Sequence, residues 1–349
     1  MRGVGVRCVN RLFAPLLLTL SRTLYMRKLE DLQSLIASSV SELKFPEYPA
    51  ELYEPIKYIL ALGGKRMRPA LLLMACDLFG GDVEAALPPA LAIEVFHNFT
   101  LMHDDIMDNA PKRRGKTTVH EKWNNNVAIL SGDVMLIEGY KLMMQVRENI
   151  LRQVLDIFND TAVGVCEGQQ LDMTFETSNN ISIEEYINMI RLKTAVVLGG
   201  ALKIGALIGE ADIKDADLLC QFGEYLGIAF QLQDDILDVY GNPEKFGKQV
   251  GGDIISNKKT YLLIKALELV KGTDAEELAR WITFTTFDPA EKVAAVTGIY
   301  NSVNIRQHAE NEMQTYAEKA FEALDQINLP EESKQYLRDF ADGLLVREY

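Results

Sequence analysis

The sequence predicts an all-α protein built as one bundle of helices. From Met26 onward, apolar residues recur at intervals of three and four positions, which places them on one face of a helix, and we find no sustained alternation of the kind that marks strands. Segments 84–108 and 212–239 are apolar around much of their circumference, which is typical of central helices. We therefore expect both segments to surround a deep apolar cavity, with residues 26–349 forming a single domain.

The predicted helices follow this periodicity along the chain. Ser182 with Glu185, and Thr273 with Glu276, have the spacing of a capping box, in which two side chains bond reciprocally to backbone N–H groups at a helix start. The predicted helices are 27–43, 49–62, 69–79, 84–108, 127–147, 150–175, 183–209 with a break near 194, 212–239, 260–271, 274–284, 289–326 with interruptions, and 331–346.

Residues 1–25 form an N-terminal extension that we exclude from the fold. They contain arginines and no acidic residue around the apolar run LFAPLLLTL, a composition typical of a targeting segment. Pro15 and the arginines interrupt this run too much for a membrane span. Because Met26 follows directly and begins an amphipathic helix, we favour a wrongly assigned upstream start codon over a targeting peptide.

Composition limits the classes of function. The net charge of −14 argues against nucleic-acid binding, which requires a basic surface. The hydrophobic fraction of 48% and the charged fraction of 25% are typical of a soluble globular protein, so we expect no stable membrane insertion. The 4 cysteines are far apart and have no neighbouring histidine ligands, which indicates reduced thiols and a cytoplasmic location.

An acidic motif ends each of the two central segments. The motifs are DDIMD, with Asp104, Asp105 and Asp108, and DDILD, with Asp234, Asp235 and Asp238. Because positions i and i+4 share a helix face, the first and last aspartates of each motif point the same way and require a cation. Oxygen ligands without histidine or cysteine favour Mg²⁺ or Mn²⁺, which phosphate oxygens then help to coordinate. A solvated acidic helix end would explain one copy, but two identical spacings favour a diphosphate site.

Basic residues near glycines provide candidate contacts to that anion. Arginine is suited to such contacts because its planar fork fits two phosphate oxygens at once. The first group, in LGGKRMRPA, lies at a helix start, where backbone N–H groups also bind anions, and comprises Lys65, Arg66 and Arg68. The second follows the first aspartate motif and comprises Lys112, Arg113 and Arg114. For Arg66, a solvated loop residue is an equally good interpretation.

Further candidates lie at a helix break, in a second glycine-rich loop and on a central helix. Lys193 and Thr194 lie at the break, and the loop FGKQVGGDIISNKKT, suited to closing over a ligand, contains Lys248, Lys258 and Lys259. An ordinary mobile lysine-rich loop is the alternative. His97 lies two turns before the first motif, where a core histidine is the usual interpretation. With Glu94 it forms E-x-x-H, but a di-iron bundle needs two such motifs, so this alternative is distant.

With these motifs assembled, the chain from Met26 to its end resembles the trans-prenyltransferases, the isoprenyl diphosphate synthase or polyprenyl synthetase family, of the all-α isoprenoid synthase fold. The residues that carry the resemblance are GGKRMRP, HDDIMDNAPKRRG, the Lys193-Thr194 pair and GIAFQLQDDILDVYG. The resemblance implies head-to-tail condensation of isopentenyl diphosphate with an allylic diphosphate, dependence on Mg²⁺ with Mn²⁺ as a substitute, and a homodimer.

The resemblance also implies roles for individual residues. Metal ligands would be Asp104, Asp108 and Asp234, with Asp105, Asp235 and Asp238 assisting directly or through water. The allylic diphosphate would be bound by Arg113, Lys193 and Lys248, and isopentenyl diphosphate by Lys65, Arg68, His97 and Arg114. Thr194 and Gln231 would contact the developing cation, Lys258 matches a lysine of the closing loop, and Arg347 is our candidate for a C-terminal basic contact.

Product length is predicted from the helix that precedes DDIMD. Phe99 lies about 7.5 Å before Asp104 at ~1.5 Å per residue, where the resemblance implies that an aromatic side chain limits the growing product. Thr100 is small, whereas similar farnesyl diphosphate synthases often have a second aromatic there, so we expect geranylgeranyl diphosphate, with farnesyl diphosphate as the alternative. Phe96 is a weaker candidate for the floor, since core packing explains it better.

Two other functions remain as distant alternatives. A terpene cyclase shares the helical fold but usually replaces the second aspartate motif and needs no site for isopentenyl diphosphate. A non-catalytic prenyltransferase subunit commonly loses aspartates, and none is missing here. The intact DDILD and GGKRMRP motifs therefore favour chain elongation.

Overall fold

The computed structural model describes residues 26–178, 180–241 and 251–345, and nearly all of these lie in helices, which confirms the all-α class. Contacts divide the described residues into two compact units. The first comprises 26–146, 208–211 and 329–336, and the second comprises 147–178, 180–207, 212–241, 251–328 and 337–345. That residues 26–349 form one domain stays a prediction, as does the cavity between the central helices.

The first unit contains helices α1 to α6 and one short hairpin. The elements are α1 Leu29–Glu42, α2 Ala50–Ala61, α3 Met67–Leu78, α4 Val83–Met107, β1 Lys112–Arg113, β2 Lys116–Thr117, α5 Val119–Lys122 and α6 Asn125–Met143. Helix α4 packs against each of the other five helices, which confirms its central position within this unit. Its closest packing is along α6, where Gly132 leaves room for the His103 ring of α4.

The second unit is built around α10. Its elements are α7 Glu148–Thr177, α8 Ile183–Ile190, a π-helical turn at Arg191–Ala195, α9 Val196–Ile208, α10 Ile213–Tyr240, α11 Gly252–Ser256, α12 Tyr261–Leu269, α13 Thr273–Thr283, α14 Pro289–Ser302 and α15 Ile305–Asp325, while α16 Glu331–Leu345 has residues in both units. Helix α10 packs along α15 and also touches α8, the π-helical turn, α11 and α12, so it is central in its unit.

The helix break predicted near residue 194 is the π-helical turn. Such turns insert one extra residue into a helix and occur frequently at functional sites. Helix α7 approaches this turn closely at Gly168, where a Cβ atom would overlap the backbone of Lys193. Only glycine therefore fits at this crossing, and the crossing fixes the backbone that carries Lys193.

The β1–β2 hairpin is an element that the sequence reasoning missed. Its two-residue loop consists of Arg114 and Gly115, with φ of 52° and 76°, the left-handed values of a type I′ turn. The strands are only two residues long, so they show no alternation from which to predict them. The hairpin follows the first aspartate motif and presents Arg113 and Arg114 on a defined backbone.

The remaining differences from the predicted helices are local. The capping box at Ser182 and Glu185 is confirmed, whereas the one predicted at Thr273 is wrong, because Gly272 holds the cap position and α13 begins at Thr273 itself. Segment 289–326 is interrupted as predicted, and the break lies at Asn304, which adopts a left-handed φ of 53°. The short helices α5 and α11 were not predicted, since four or five residues carry too little periodicity.

Among the described residues, no helix has the length and apolarity that crossing a membrane requires. Several sequence predictions lie outside the described residues: the N-terminal extension 1–25, Lys248 of the second glycine-rich loop, and Arg347.

Candidate active site

The first aspartate motif occupies the last turn of α4. This helix begins at Asp82, whose carboxylate accepts the backbone N–H of Glu84 at 3.0 Å, and ends at Asp108, its C-terminal cap residue. Asp104 is partly exposed and Asp108 is exposed, whereas Asp105 is buried. The outer aspartates therefore remain accessible to a ligand, as the i, i+4 spacing predicts.

Arg113 of the hairpin stabilises the buried middle aspartate. Its Nε donates to Asp105 Oδ1 at 2.8 Å, and its Nη2 lies 2.7 Å from the same oxygen and 3.5 Å from Asp104 Oδ2. Burial raises the pKa of the Asp105 carboxyl, while the hydrogen bond and charge of Arg113 oppose that rise. The middle aspartate thus anchors a cation beside the outer pair.

The second motif, in the last turns of α10, has the same pattern of burial. Asp234 and Asp238 are partly exposed and Asp235 is buried. Tyr186 of α8 donates its hydroxyl hydrogen bond to Asp235, and Gln231 Nε2 donates to Asp235 Oδ1 at 3.4 Å. In both motifs, then, the middle carboxylate is held by side chains of its own unit while the outer two are accessible.

The electrostatic environment of Asp235 differs from that of Asp105. Burial, reinforced by the negative charge of Asp253, raises the pKa of Asp235 to about 7, and the charge of Lys258 partly offsets this. Burial also raises the pKa of the Tyr186 hydroxyl well above its ordinary value, so the tyrosine stays a proton donor. Among the described residues no arginine bonds to Asp235, whereas Arg113 bonds to Asp105.

Asp238 has a structural contact in addition to its predicted metal-binding role. Its Oδ2 accepts the backbone N–H of Asp253 at 2.9 Å, and its carbonyl accepts the N–H of Gly251 at 2.6 Å. These bonds attach the start of α11 to the end of α10. Asp253 in the first turn of α11 and Lys258 just after its end consequently lie near enough to Asp235 for their charges to act on it.

Lys193 lies in the π-helical turn, partly buried, and binds an aspartate of α7. Its Nζ is 2.5 Å from Asp172 Oδ2. The adjacent Thr194 is also partly buried. The ion pair with Asp172 fixes the direction of the lysine side chain, so Lys193 is a positioned cation and not a solvated one.

The basic loop before α3 contains residues of two kinds. Arg66 is buried, ion-paired with Glu94 of α4 and bonded to the carbonyl of Leu60 at 2.9 Å, so its interpretation as a solvated loop residue is wrong. Glu94 also accepts from Asn98 Nδ2 at 2.7 Å, so the E-x-x-H motif serves an ion pair. Lys65, by contrast, is exposed.

Arg68 and His97 form a polar contact that determines the state of the histidine. Arg68 Nη1 lies 3.2 Å from His97 Nε2, and because a guanidinium only donates, that ring nitrogen is the acceptor and the proton is on Nδ1. Burial, together with the positive charges of Arg68 and Arg114, lowers the pKa of His97 well below its ordinary value. His97 is therefore a neutral imidazole surrounded by arginines.

Arg114 connects the hairpin to this basic loop. Its Nη1 donates to the carbonyl of Gly63, and its guanidinium lies so close to Gly64 that a Cβ there would be 2.9 Å from Nη2. Within the first unit, the structure thus gathers Arg68, His97 and Arg114, as an anion site requires.

The residues present fit a partial set of Mg²⁺ ligands. In the part of the chain that the structure describes, no three histidine, cysteine or acidic side chains converge on one metal position. Mg²⁺ does not require such a cage, because it binds through one or two carboxylates and completes its coordination with water and substrate phosphates. Asp104 with Asp108, and Asp234 with Asp238, each provide oxygen ligands of that kind.

Three residues near the motifs were not predicted from the sequence: Tyr186, Asp172 and Asp253. A buried tyrosine hydroxyl needs an acceptor, so Tyr186 on the apolar face of α8 is a detectable signal, although sequence does not identify its partner. Asp253 follows the glycines of GGDIISNKKT and was passed over for the lysines beside it. Asp172 lies inside a long amphipathic helix and carries no local signal.

The chain is similar to known proteins over most of its length. The family model described as polyprenyl synthetase matches residues 49–300. The chain is 35% identical to the geranylgeranyl diphosphate synthase of Methanosarcina mazei over 92% of this chain and 98% of that protein, and 37% identical to that of Sulfolobus acidocaldarius over 83% and 90%. A crystal structure of a geranylgeranyl pyrophosphate synthase superposes with a TM-score of 0.88 at 42% identity, covering 93% of this chain and 100% of that one.

The buried Arg66–Glu94 pair generates a prediction about stability. Glu94→Ala leaves the Arg66 charge buried without its partner and is expected to lower the free energy of unfolding by about 3–5 kcal/mol. Glu84→Ala is the matched control, since Glu84 pairs with Arg27 at the surface at 3.3 Å, a contact worth about 1 kcal/mol or less. Urea unfolding followed by circular dichroism measures both, and equal losses would contradict a structural role for the buried pair.

Proposed function

Because the chain belongs to the polyprenyl synthetase family, we propose that it is a trans-prenyltransferase that condenses isopentenyl diphosphate head-to-tail with allylic diphosphates and makes geranylgeranyl diphosphate. The observation that carries the proposal is the shared arrangement of the two aspartate motifs. In each, the middle aspartate is buried and held by a neighbouring side chain, while the outer two are accessible. Two pairs of accessible carboxylates, each beside a buried aspartate, suit an enzyme that ionises a diphosphate ester.

The chain's own cations would bind the two substrates. When the allylic carbon–oxygen bond breaks, its electron pair moves to the diphosphate, and donors placed where that charge develops lower the barrier. Arg113 and Lys193 would bind the allylic diphosphate, since contacts with Asp105 and Asp172 hold their side chains in place. Lys248 and Lys258 would assist in this binding. The isopentenyl diphosphate would be bound by Lys65, Arg68, His97 and Arg114.

The remaining steps need no side-chain base. The isopentenyl double bond forms the new carbon–carbon bond to the allylic cation, and the departing diphosphate takes the proton that is lost. Thr194 and Gln231 would stabilise the cation with their side-chain oxygens, and the apolar cavity that we predict would exclude the water that quenches it.

The family is dependent on divalent metal, and we propose Mg²⁺ for this chain, with Mn²⁺ as a substitute. Asp104, Asp108, Asp234 and Asp238 would hold the ions, with Asp105 and Asp235 in support. When bound, the metal neutralises diphosphate charge and so favours departure of the leaving group. We place the reaction in the cytoplasm, because the described cysteines, Cys76, Cys166 and Cys220, are free thiols.

Turnover with defined substrates tests this function. Purified protein with isopentenyl diphosphate, Mg²⁺ and dimethylallyl, geranyl or farnesyl diphosphate is expected to form geranylgeranyl diphosphate, measured by chromatography of the products. Asp104→Ala and Asp234→Ala are each expected to lower turnover by at least about 100- to 1,000-fold, because each removes a ligand of the metal that would stabilise the charge of the leaving group. Chelation of the metal is expected to have the same effect.

The control for these variants is Asp156→Ala, which removes an exposed aspartate of α7. It is expected to leave turnover unchanged, and circular dichroism checks that all variants keep their helix content. Near-normal turnover of either motif variant would contradict the metal-binding assignment. Products formed without isopentenyl diphosphate would indicate a terpene cyclase. The absence of any product would indicate a non-catalytic subunit.

Product length is proposed to depend on Phe99. Its ring lies on α4 with its centroid 5.7 Å from that of Phe96 and 4.8 Å from that of His103. Phe99 retains 9% exposure, whereas Phe96 retains 1%. Thr100 is partly buried, and its hydroxyl donates to the carbonyl of His97 at 2.8 Å, so a small side chain is accommodated there. These features support Phe99 as the floor, with Phe96 as core packing beneath it.

Replacing Phe99 tests this floor. Phe99→Ala is expected to lengthen the products resolved by chromatography, because a growing apolar chain would extend into the space of the missing ring. Phe96→Ala is the matched control and is expected to lower the free energy of unfolding by about 3–5 kcal/mol without lengthening the product. An unchanged product distribution for Phe99→Ala would refute the assignment.

We propose a homodimer that buries an apolar stripe of α6. Leu130, Ile137 and Met144, spaced by seven residues, are exposed by 57%, 55% and 50%, and Ile129 lies beside them. A contiguous apolar patch on a soluble protein marks an interaction surface, and a self-complementary patch forms a two-fold dimer. The stripe supports assembly through α6 in particular.

Charge on the stripe tests the dimer. Leu130→Glu combined with Ile137→Glu is expected to convert the dimer to monomers in sedimentation velocity, because buried carboxylates would lack partners. Ile213→Glu is the control, since Ile213 is 53% exposed at the start of α10 and outside the stripe. A wild-type monomer, or a dimer unaffected by the double change, would overturn the proposal.

A further inference from the structure

Lys292 of α14 is a buried lysine that has no acidic partner among the described residues. Its exposure is 1%, yet no carboxylate of the described residues lies within ion-pair distance. Its Nζ instead donates to the carbonyl of Ile255 at 3.1 Å and to Asn257 Oδ1 at 2.7 Å, and it lies 4.3 Å from the ring centroid of Phe287. Lysine is almost never fully buried unless it is paired, so this position requires an explanation.

Packing alone does not explain Lys292. Burial lowers the pKa of its ammonium group, which shows that the charged form is disfavoured at this position. An apolar side chain of similar length would fill the same volume without losing hydration. The two oxygen contacts therefore distinguish lysine from a hydrophobic residue here, and both are made to one stretch of chain.

That stretch, Gly251 to Thr260, connects α14 to the second aspartate motif, and we call it the anchored segment. Its start bonds to Asp238 through the N–H groups of Gly251 and Asp253, at 2.6 and 2.9 Å. Its other end is held by Lys292 and by Asn257, whose Nδ2 donates to the carbonyl of Ile282 at 3.0 Å. The anchored segment is therefore attached at two points, residues 251–253 and residues 255–257.

Two charged residues of the anchored segment lie at those attachments, since Asp253 makes the first one and Lys258 directly follows Asn257, which makes the second. Asp253 and Lys258 both act electrostatically on Asp235, so displacement of either alters the second motif. Asn257 next to Lys258 has a left-handed backbone, with φ of 55°, and its side chain receives the bond from Lys292. The contact thus fixes the backbone at Asn257, directly before Lys258.

We infer that Lys292 is a positioning residue, which fixes the end of the anchored segment and so holds Asp253 and Lys258 beside the second aspartate motif. Lys292 does not touch a substrate itself. The effect expected on allylic diphosphate binding rests on the proposed function, whereas the effect on the anchored segment does not.

The test compares Lys292→Met with Lys334→Met. Lys334 is also buried, at 4% exposure, but pairs with Glu331 at 2.9 Å on α16. For Lys292→Met we expect the KM for the allylic diphosphate to rise by about tenfold or more, as loss of an outer contact commonly does at metal sites, with a smaller change in the KM for isopentenyl diphosphate. For Lys334→Met we expect neither KM to change.

Hydrogen exchange measured by mass spectrometry separates this inference from the proposed function. In Lys292→Met, amides of the anchored segment are expected to exchange faster while those of α15 stay protected, whether or not the protein turns over substrate. Asn257→Gly keeps a residue suited to the left-handed backbone and removes the acceptor, so it is expected to give the same two results even if Lys292→Met fails to fold.

The result that would overturn the inference is exchange of the anchored segment at the wild-type rate in a folded Lys292→Met protein and in Asn257→Gly. Equal rises in both KM values would also overturn it, because a general loss of packing acts on both substrates. Recovery of the wild-type KM in Lys292→Arg, which keeps the charge and the donors, is the supporting outcome. Absence of turnover in the wild type would refute the proposed function alone.

Discussion

Crowding of carboxylates at the ends of α4 and α10 is the constraint on which the rest of the site depends. Each motif carries three acidic side chains within two turns, and a carboxylate buried without a partner is costly. The structure meets this constraint by burying the middle aspartate with a donor, Arg113 for Asp105 and Tyr186 for Asp235. The outer aspartates then keep the accessible positions, where repulsion between them favours a bound cation.

The different donors give the two motifs different electrostatic properties. Arg113 brings a full positive charge and remaining N–H donors to the first motif, so it can serve the aspartate and an incoming anion together. Tyr186 brings no charge, and the pKa of Asp235 rises to about 7. The second motif consequently depends on cations that approach from elsewhere, which gives the placement of Lys258 its importance.

Sequence periodicity predicted the long helices, because burial selects one helix face over many turns. The repeated DDxxD spacing identified the two candidate metal-binding motifs. The sequence could not show which cations are held in buried ion pairs. Arg66 and Arg68 are near neighbours in one basic loop, and only the fold pairs Arg66 with Glu94. Tyr186 and Asp172 were missed for the same reason, as their partners are distant in sequence. The hairpin was missed because its strands are too short to show alternation, and its only sequence signal is a two-residue turn.

Control of product length, if it resides at Phe99, depends on packing that the motif itself does not reveal. The Phe99 ring stacks edge-on against His103, whose Nε2 lies 3.2 Å from the carbonyl of Ile129 on α6. His103 fits there only because Gly132 has no side chain, since a Cβ would overlap the imidazole. A larger residue at position 132 would displace His103 and, through it, the Phe99 ring. A floor formed by Phe99 would therefore depend on the α4–α6 contact as well as on the aromatic residue itself.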